Sequence, residues 1–274
     1  MFIESERQIM ARNLKNIARL IEVANEKTSI EEAFLSDLKR SIELTSKKNS
    51  RQPSQTYKPS GMNCIRSMYY QVMGKEAKDE PTFTSVGICN SGSDIHERIQ
   101  QAVIDMKDNG MDCEYINVAD FVRTRELKDI EIVKEPDFEN GEYETKLFNK
   151  KYNISFLCDG IIRYRGKYFI LELKTEASFK WQSRTGVDPK HYKQGIAYSF
   201  NLGLDEVIFV YINRDVLDMK AFMFPVTDAM RTELVNLITE CQGYVDKQTP
   251  PPKPEMSAYA CKYCGYKEIC DGDK

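Results

Sequence analysis

The chain has 274 residues, 41% hydrophobic and 30% charged, with a formal net charge of −3. That is enough for a core in one medium domain with an appendage, or in two small domains. It excludes binding of nucleic acid by bulk positive charge, so any such contact would need a local basic patch.

No apolar run approaches the roughly 18 residues needed to span a bilayer. The opening MFIESERQIMARN lacks the apolar core of a signal peptide. No membrane contact is expected, and the chain is expected to act in the cytoplasm of a bacterium or archaeon, or as a viral protein in a host cytosol.

Residues 4–27 place Ile9, Leu14, Ile17, Leu20 and Ile21 on one side, and residues 30–48 do the same with Phe34, Leu35, Leu38, Ile42 and Leu44. Both spacings are helical. They predict a helical hairpin over 1–50, which either packs on the main body or carries a site for a protein partner. Residues 51–61, with two prolines and a glycine, read as a linker.

The main body is expected over 62–248. Cys64 to Met73 reads as a helix and Pro81 to Asn90 as a loop. Gly92 to Met106 reads as a helix with Ile95, Ile99, Val103 and Ile104 on one side and His96 at the edge of that face. Residues 114–135 give no clear pattern. From Tyr143 the chain reads as three strands, 143–148, 152–164 and 167–175, joined by turns at Asn149-Lys150-Lys151 and Arg165-Gly166. A polar loop or short helix at 177–187 leads to a helix at 189–202 closed by Gly203. Strands at 206–213 and 220–226 and a helix at 227–247 follow. The prolines of TPPPKP then open an extended arm over 249–274. The order α-β-β-β-α-β-β-α predicts an α/β fold around a central mixed sheet.

Chemistry concentrates between Asp159 and Lys174. On a strand, positions two apart share a face. Glu172 and Lys174 therefore point one way with Ile170, and Phe169, Leu171 and Leu173 the other. Two carboxylates and a lysine on one hairpin suit hydrolysis of a phosphodiester. That reaction needs a metal-activated water and stabilisation of the charge that develops on phosphorus oxygens. Mg²⁺ or Mn²⁺ takes oxygen ligands, which Asp159, Glu172 and the Leu173 carbonyl could supply. Lys174 could hold or deprotonate the attacking water. His96 could reach the metal as a further ligand. Gln194 and Tyr198, at i and i+4, share a helix face and could bind phosphate or orient Lys174.

The order of Gly92…His96, Asp159-Gly160, Glu172-Leu173-Lys174 and Gln194…Tyr198 resembles the PD-(D/E)xK nuclease superfamily in its RecB-like branch. Cys158 stands before the aspartate in place of proline, which removes no side-chain ligand. The resemblance covers roughly residues 60–272. It implies a restriction-endonuclease-like core with catalytic Asp159, Glu172, Lys174, Gln194 and Tyr198, and metal held by His96, Asp159, Glu172 and Leu173.

Eight cysteines fall into two groups. Cys89, Cys113, Cys158 and Cys241 stand singly and read as small buried hydrophobes. Cys261-x2-Cys264-x5-Cys270, with Cys64 and its neighbours Asn63, Ile65, Arg66, Tyr69 and Tyr70, resembles the iron–sulfur RecB-like nucleases, among them the CRISPR-associated adaptation exonuclease and the AddB nuclease domain. In that group one upstream and three downstream cysteines hold a 4Fe–4S cluster. A Cys₄ zinc site is the alternative that the spacing leaves open.

Lys180, Arg184, Lys190 and Lys193, interleaved with Phe179, Trp181 and Tyr192, could hold a DNA backbone and stack on a base, with Trp181 as the stacking candidate. The reading is a metal-dependent DNA exonuclease acting at ends or single strands in recombination, replication or repair. A partner-dependent endonuclease or processing subunit (including one for CRISPR adaptation) and a non-catalytic DNA-binding module are the alternatives. RNA as substrate and oligomer formation stay open.

Overall fold

The computed structural model describes residues 6–48, 53–78, 81–255 and 261–273. They form two units, 6–48 with 81–88, and 53–78 with 89–255 and 261–273.

In the first unit, α1 (Glu6–Lys48) is one helix of 43 residues. The expected hairpin is therefore corrected: nothing between the two apolar stripes contains Gly or Pro, so nothing compels a turn. Phe83, expected in a loop, opens the helix α3 (Phe83–Asp105), which also takes in the helix expected from Gly92. Its backbone N–H donates to Glu43 at 2.7 Å, and the Lys39 ammonium lies 5.8 Å from its ring.

In the second unit the segment expected as a linker is part of the core. Tyr57 is fully buried and bridges Ile154, and Pro59 and Met62 are buried with it. Residues 51 and 52 lie outside the described residues. The helix α2 (Ile65–Val72) follows. The stretch without a clear pattern holds β1 (Cys113–Ile116), α4 (Val118–Thr124) and β2 (Ile130–Lys134). Asn117 starts α4 by accepting from the backbone N–H groups of Ala119 and Asp120.

The expected strand 152–164 is two strands, β4 (Ile154–Cys158) and β5 (Gly160–Tyr164), in different sheets. Asp159 is the residue between them. With β3 (Thr145–Asn149), β4 and β2 form a three-stranded antiparallel sheet in the order β2-β3-β4. A tight turn at Arg165-Gly166, with φ of 48° and 80°, joins β5 to β6 (Lys167–Glu176); positive φ at both positions suits the twist of a hairpin.

The larger sheet runs β1-β5-β6-β7-β8, with β7 (Glu206–Asn213) and β8 (Met219–Pro225). Only β6 and β7 are parallel. Between them the chain makes α5 (Ser178–Gln182) and α6 (Tyr192–Leu202), and Gly203 closes α6 at φ 66°. Thr227 caps α7 (Asp228–Asp246), and α8 (Lys267–Gly272) is the last helix among the described residues.

Both faces of this sheet are covered. Phe169, Leu171 and Leu173 of β6 pack with Ile95, Ile99 and Val103 of α3. Ile170 and Phe209 pack on the other side with Ala197, Tyr198 and Leu202 of α6 and Leu234 and Ile238 of α7. Each such aliphatic side chain contributes about 1.5–3 kcal/mol. The expected α/β core, a central mixed sheet flanked by helices, is what the structure has, and it is consistent with a restriction-endonuclease-like core. Cys113, Cys158 and Cys241 are buried, whereas Cys89 on α3 is exposed, against expectation.

Candidate active site

Asp159 sits where the two sheets part. Pairing of β5 with β6 ends at Gly160 opposite Leu171, so beyond that point β6 has a strand partner only in β7. The Leu173 N–H turns to the vacated side and donates to Asp159 Oδ2 at 2.7 Å. In an extended strand the N–H and C=O of one residue point the same way. The Leu173 carbonyl therefore faces the site as well. Asp159 is itself held by its main chain: its carbonyl accepts from Gln100 Nε2 at 2.7 Å and from the Tyr115 hydroxyl at 3.2 Å. Gly160 makes the second contact possible, since a Cβ there would stand 2.6 Å from the Tyr115 ring.

His96 reaches the site from α3, with Nδ1 3.8 Å from Asp159 Oδ1. Gly92, one turn earlier, lets α3 approach β6: a Cβ would lie 3.3 Å from Thr175 Oγ1.

The third member was missed by the sequence reading. Glu144 precedes β3, and one ligand atom each from His96, Glu144 and Asp159 lie within 4.8 Å of one another. The register explains it. Thr145 pairs with Cys158, so the next residue out on each strand is Glu144 and Asp159.

Glu172 is 2% exposed. Its Oε1 accepts from Lys174 Nζ at 2.5 Å and Gln194 Nε2 at 2.6 Å, and Gln194 also donates to the Tyr198 hydroxyl at 2.8 Å. Its Oε2 is buried with no hydrogen-bond partner. Gly195 lets α6 come close enough for this, since a Cβ there would meet the Phe209 ring at 3.1 Å.

The electrostatics follow from crowding of acids out of water. Burial, then the neighbouring Asp159 charge, pushes the Glu172 carboxyl up to about 8. Burial also raises Asp159, and burial and then Asp159 raise Glu144. Burial and then Lys174 lower His96, which favours the neutral imidazole a metal requires. The Glu144 and Asp159 carboxylates and a neutral imidazole, with the unpartnered buried oxygen of Glu172, fit a hard divalent cation.

The residues expected to touch DNA divide. Trp181, expected to stack on a base, is turned inward: its indole N–H donates to the Tyr211 carbonyl at 3.0 Å, and Lys220 lies over its ring at 4.2 Å. Phe179, 80% exposed, is the free aromatic of that turn. Arg184 is corrected too. Its side chain is 8% exposed and gives two bonds of 2.6 Å to Glu176, so it braces the loop. Lys180 pairs with Glu176 at 3.1 Å and Asp188 at 2.9 Å. Lys190 is exposed at the end of this loop, and Lys193 is half-buried.

His191 stacks beside Phe209 and Tyr211, with Nδ1 2.9 Å from the Tyr211 hydroxyl. Burial, then the cations Lys174, Lys190 and Lys180, opposed only by Asp188, lower its pKa to about 3. The unfolded value is about 6.5, so the folded state refuses a proton that the unfolded chain takes up. This contribution to stability is full above pH 6.5 and is lost as pH falls toward 3. His191→Gln is expected to flatten the acid side of the stability curve by about 1.4 kcal/mol per pH unit between those limits, as read by urea unfolding at several pH values. Equal slopes for both proteins would refute it.

Away from this site, Cys64, Cys261, Cys264 and Cys270 line one cavity of about 530 Å³ together with Asn63, Arg66, Tyr70, Lys190 and Lys253. The C-terminal segment is docked there by protein contacts. Arg66 donates to the Asp273 carbonyl at 2.9 Å, the Tyr70 hydroxyl to the Asp273 carboxylate at 2.8 Å, and Lys78 N–H to the Gly265 carbonyl at 2.9 Å. Among the described residues no three of these sulfurs lie within 4.8 Å of one another.

No family model matches the chain, and no curated protein matches it. Among solved structures it is similar to the crystal structure of SSO0001, at 18% identity and a TM-score of 0.47 over 88% of this chain and 98% of that one. It is also similar to LHK-Exo in complex with dAMP, at 11% identity and a TM-score of 0.38 over 71% and 89%. An alkaline exonuclease structure, LHK-Exo from Laribacter hongkongensis, matches at 11% identity and a TM-score of 0.37 over 72% and 90%. At these scores the likenesses add nothing to what the residues themselves support. No helix among the described residues is long and apolar enough to cross a membrane.

Proposed function

We propose that this protein is a Mg²⁺- or Mn²⁺-dependent DNA exonuclease that hydrolyses phosphodiester bonds at DNA ends or in single strands. The observation that carries this reading is the gathering of His96, Glu144 and Asp159, with the unpartnered Glu172 Oε2 on the strand that also carries Lys174. His96, Glu144, Asp159, Glu172 and the Leu173 carbonyl would hold the ion. When bound, it supplies Lewis-acid polarisation of a phosphoryl oxygen and lowers the pKa of water.

The chain does the rest. Lys174 stands on the strand face of Glu172, donates to it, and can orient the attacking water or neutralise charge as the phosphorus–oxygen bond breaks. Gln194 fixes the Glu172 oxygen that Lys174 uses, and Tyr198 fixes Gln194. Phe179, Lys180 and Lys190 would meet a single strand by stacking and charge. Cys64, Cys261, Cys264 and Cys270 would hold a 4Fe–4S cluster that staples the C-terminal segment to α2. Recombination, replication and repair are the processes that consume such an activity.

A time course on end-labelled single- and double-stranded DNA with Mn²⁺, beside a closed circular control, tests the reading. Loss of the label from linear DNA with the circle intact is the expected result. Cutting of the circle would make the enzyme an endonuclease, and no cleavage of any substrate would end the proposal.

A further inference from the structure

Trp181 and Arg184, turned inward, both hold Tyr211. The Trp181 indole donates to the Tyr211 carbonyl at 3.0 Å, and the Arg184 guanidinium lies 4.2 Å over its ring. The Asp188 N–H donates to its hydroxyl at 2.9 Å. Arg184 and Lys180 are fixed in turn by Glu176 and Asp188. The Tyr211 hydroxyl still has its own proton to give, and among the described residues the acceptor beside it is His191 Nδ1, at 2.9 Å. That bond satisfies both groups and assigns the imidazole proton to Nε2. Among the described residues Nε2 has no hydrogen-bond partner, and it is not sealed from solvent.

The sheet places this donor. Across the parallel strands β6 and β7, Glu172 pairs with Phe209 and Lys174 with Tyr211, so the four side chains share one face. His191 stacks on Phe209 and Tyr211, with ring centroids 6.3 and 5.8 Å away. Its stack therefore lies one strand beyond Lys174, about 4.8 Å further across the sheet, on the side away from Asp159. The surroundings favour an anion. Lys174, Lys190 and Lys180 act on His191 against Asp188. His191 is also the N-cap of α6, an end that no side chain caps, where the helix dipole adds to the same field.

We propose that His191 binds the DNA backbone: with Nδ1 held by Tyr211, Nε2–H donates to an oxygen of the phosphate next to the one that is cleaved. This rests on the nuclease reading, which puts the scissile phosphate at Asp159, Glu172 and Lys174; the strand then continues over β7 to His191. An imidazole that keeps one proton binds a phosphate without adding a further charge beside the lysines. Tyr211 is a positioning residue for it, and so are Trp181 and Arg184 through Tyr211.

Two substitutions separate this role from a structural one. Asn puts its amide where Nδ1 stands, so it keeps an acceptor for Tyr211 and has no group at Nε2. Gln puts an amide N–H near Nε2 and gives up Nδ1. Binding of the full chain to a fluorescent single-stranded oligonucleotide is read by anisotropy with Ca²⁺ in place of Mn²⁺. His191→Asn is expected to raise the Kd about tenfold or more, and His191→Gln to stay within about threefold of the native protein. The chain has two histidines, so heteronuclear NMR of histidine-labelled protein, beside His96→Gln, reads the His191 tautomer; a proton on Nε2 is expected. Native-like binding by His191→Asn, rescue by Asn rather than Gln, equal loss in both variants, or a proton on Nδ1 would each overturn the proposal. Cleavage reports on the nuclease reading separately. A chain that cuts no DNA but shows this binding pattern keeps His191 as a phosphate ligand and loses that reading. One that cuts DNA without the pattern keeps the reading and loses His191, and one that binds no oligonucleotide loses both.

Discussion

Asp159→Asn is expected to lower metal-dependent DNA hydrolysis by about a thousandfold or more, and at the same time to raise the thermal stability of the metal-free protein. The two effects have one cause. Asp159 is buried beside Glu144 and near Glu172; burial holds all three carboxyls above their ordinary range, and the Asp159 charge raises Glu172 and Glu144 further. An amide keeps the Leu173 N–H satisfied and can donate to Glu144, while removing one charge from a site that holds too many without a cation. The gain is expected to be about 1–2 kcal/mol, a rise in Tm of a few degrees. The ion reverses the order: Mn²⁺ should raise the Tm of the native protein by mass action and leave the variant unmoved. Thermal scans with chelator and with Mn²⁺, beside a linear-DNA assay, read both. An active variant, or a native protein whose Tm ignores Mn²⁺ and Mg²⁺, would remove these carboxylates from metal binding. Glu172→Gln should match the loss of activity with less gain in stability, because the amide nitrogen would then be the buried group without a partner.

The positions legible in the sequence were those whose neighbours are set by a local period. Alternation on a strand put Glu172 and Lys174 side by side, and the helical i, i+4 repeat put Gln194 beside Tyr198; those contacts are in the structure. Glu144 was not legible, because it meets Asp159 only through the β3–β4 register, and nothing local distinguishes it from Glu139 or Glu142. Asp159 itself looked like a residue inside one long strand. It lies instead at a break between sheets, and that break exposes the Leu173 backbone to it. The inward turn of Trp181 depends on the Tyr211 carbonyl at the far side of the sheet crossover, which no local pattern encodes. The continuous α1 was missed for the opposite reason: two amphipathic stretches joined without a breaker read equally well as one helix or two.

The second large effect is expected at the cysteines. Protein purified without oxygen should carry iron and acid-labile sulfide and absorb broadly in the visible. Cys64→Ala should abolish that absorbance and lower the unfolding midpoint by several degrees. Cys64 is the lever because it is the distant member of the four. Tying it to Cys261, Cys264 and Cys270 closes a loop of nearly two hundred residues, whose closure entropy is on the order of several kcal/mol. The exposed Cys89 is the control, and Cys89→Ser should alter neither property. The chemistry should suffer less than the fold, but not escape. Asn63, next to Cys64, donates to the Lys190 carbonyl at 2.7 Å, and Lys190 leads into α6, which carries Gln194. Loosening the cavity should therefore let the Gln194 amide drift from Glu172 and reduce turnover of DNA while the metal ligands stay in place. Stoichiometric zinc in a colourless protein would replace the cluster by a Cys₄ zinc site. A Cys64→Ala protein as stable as the native one would show that the Arg66, Tyr70 and Lys78 contacts hold the C-terminal segment without any bound group.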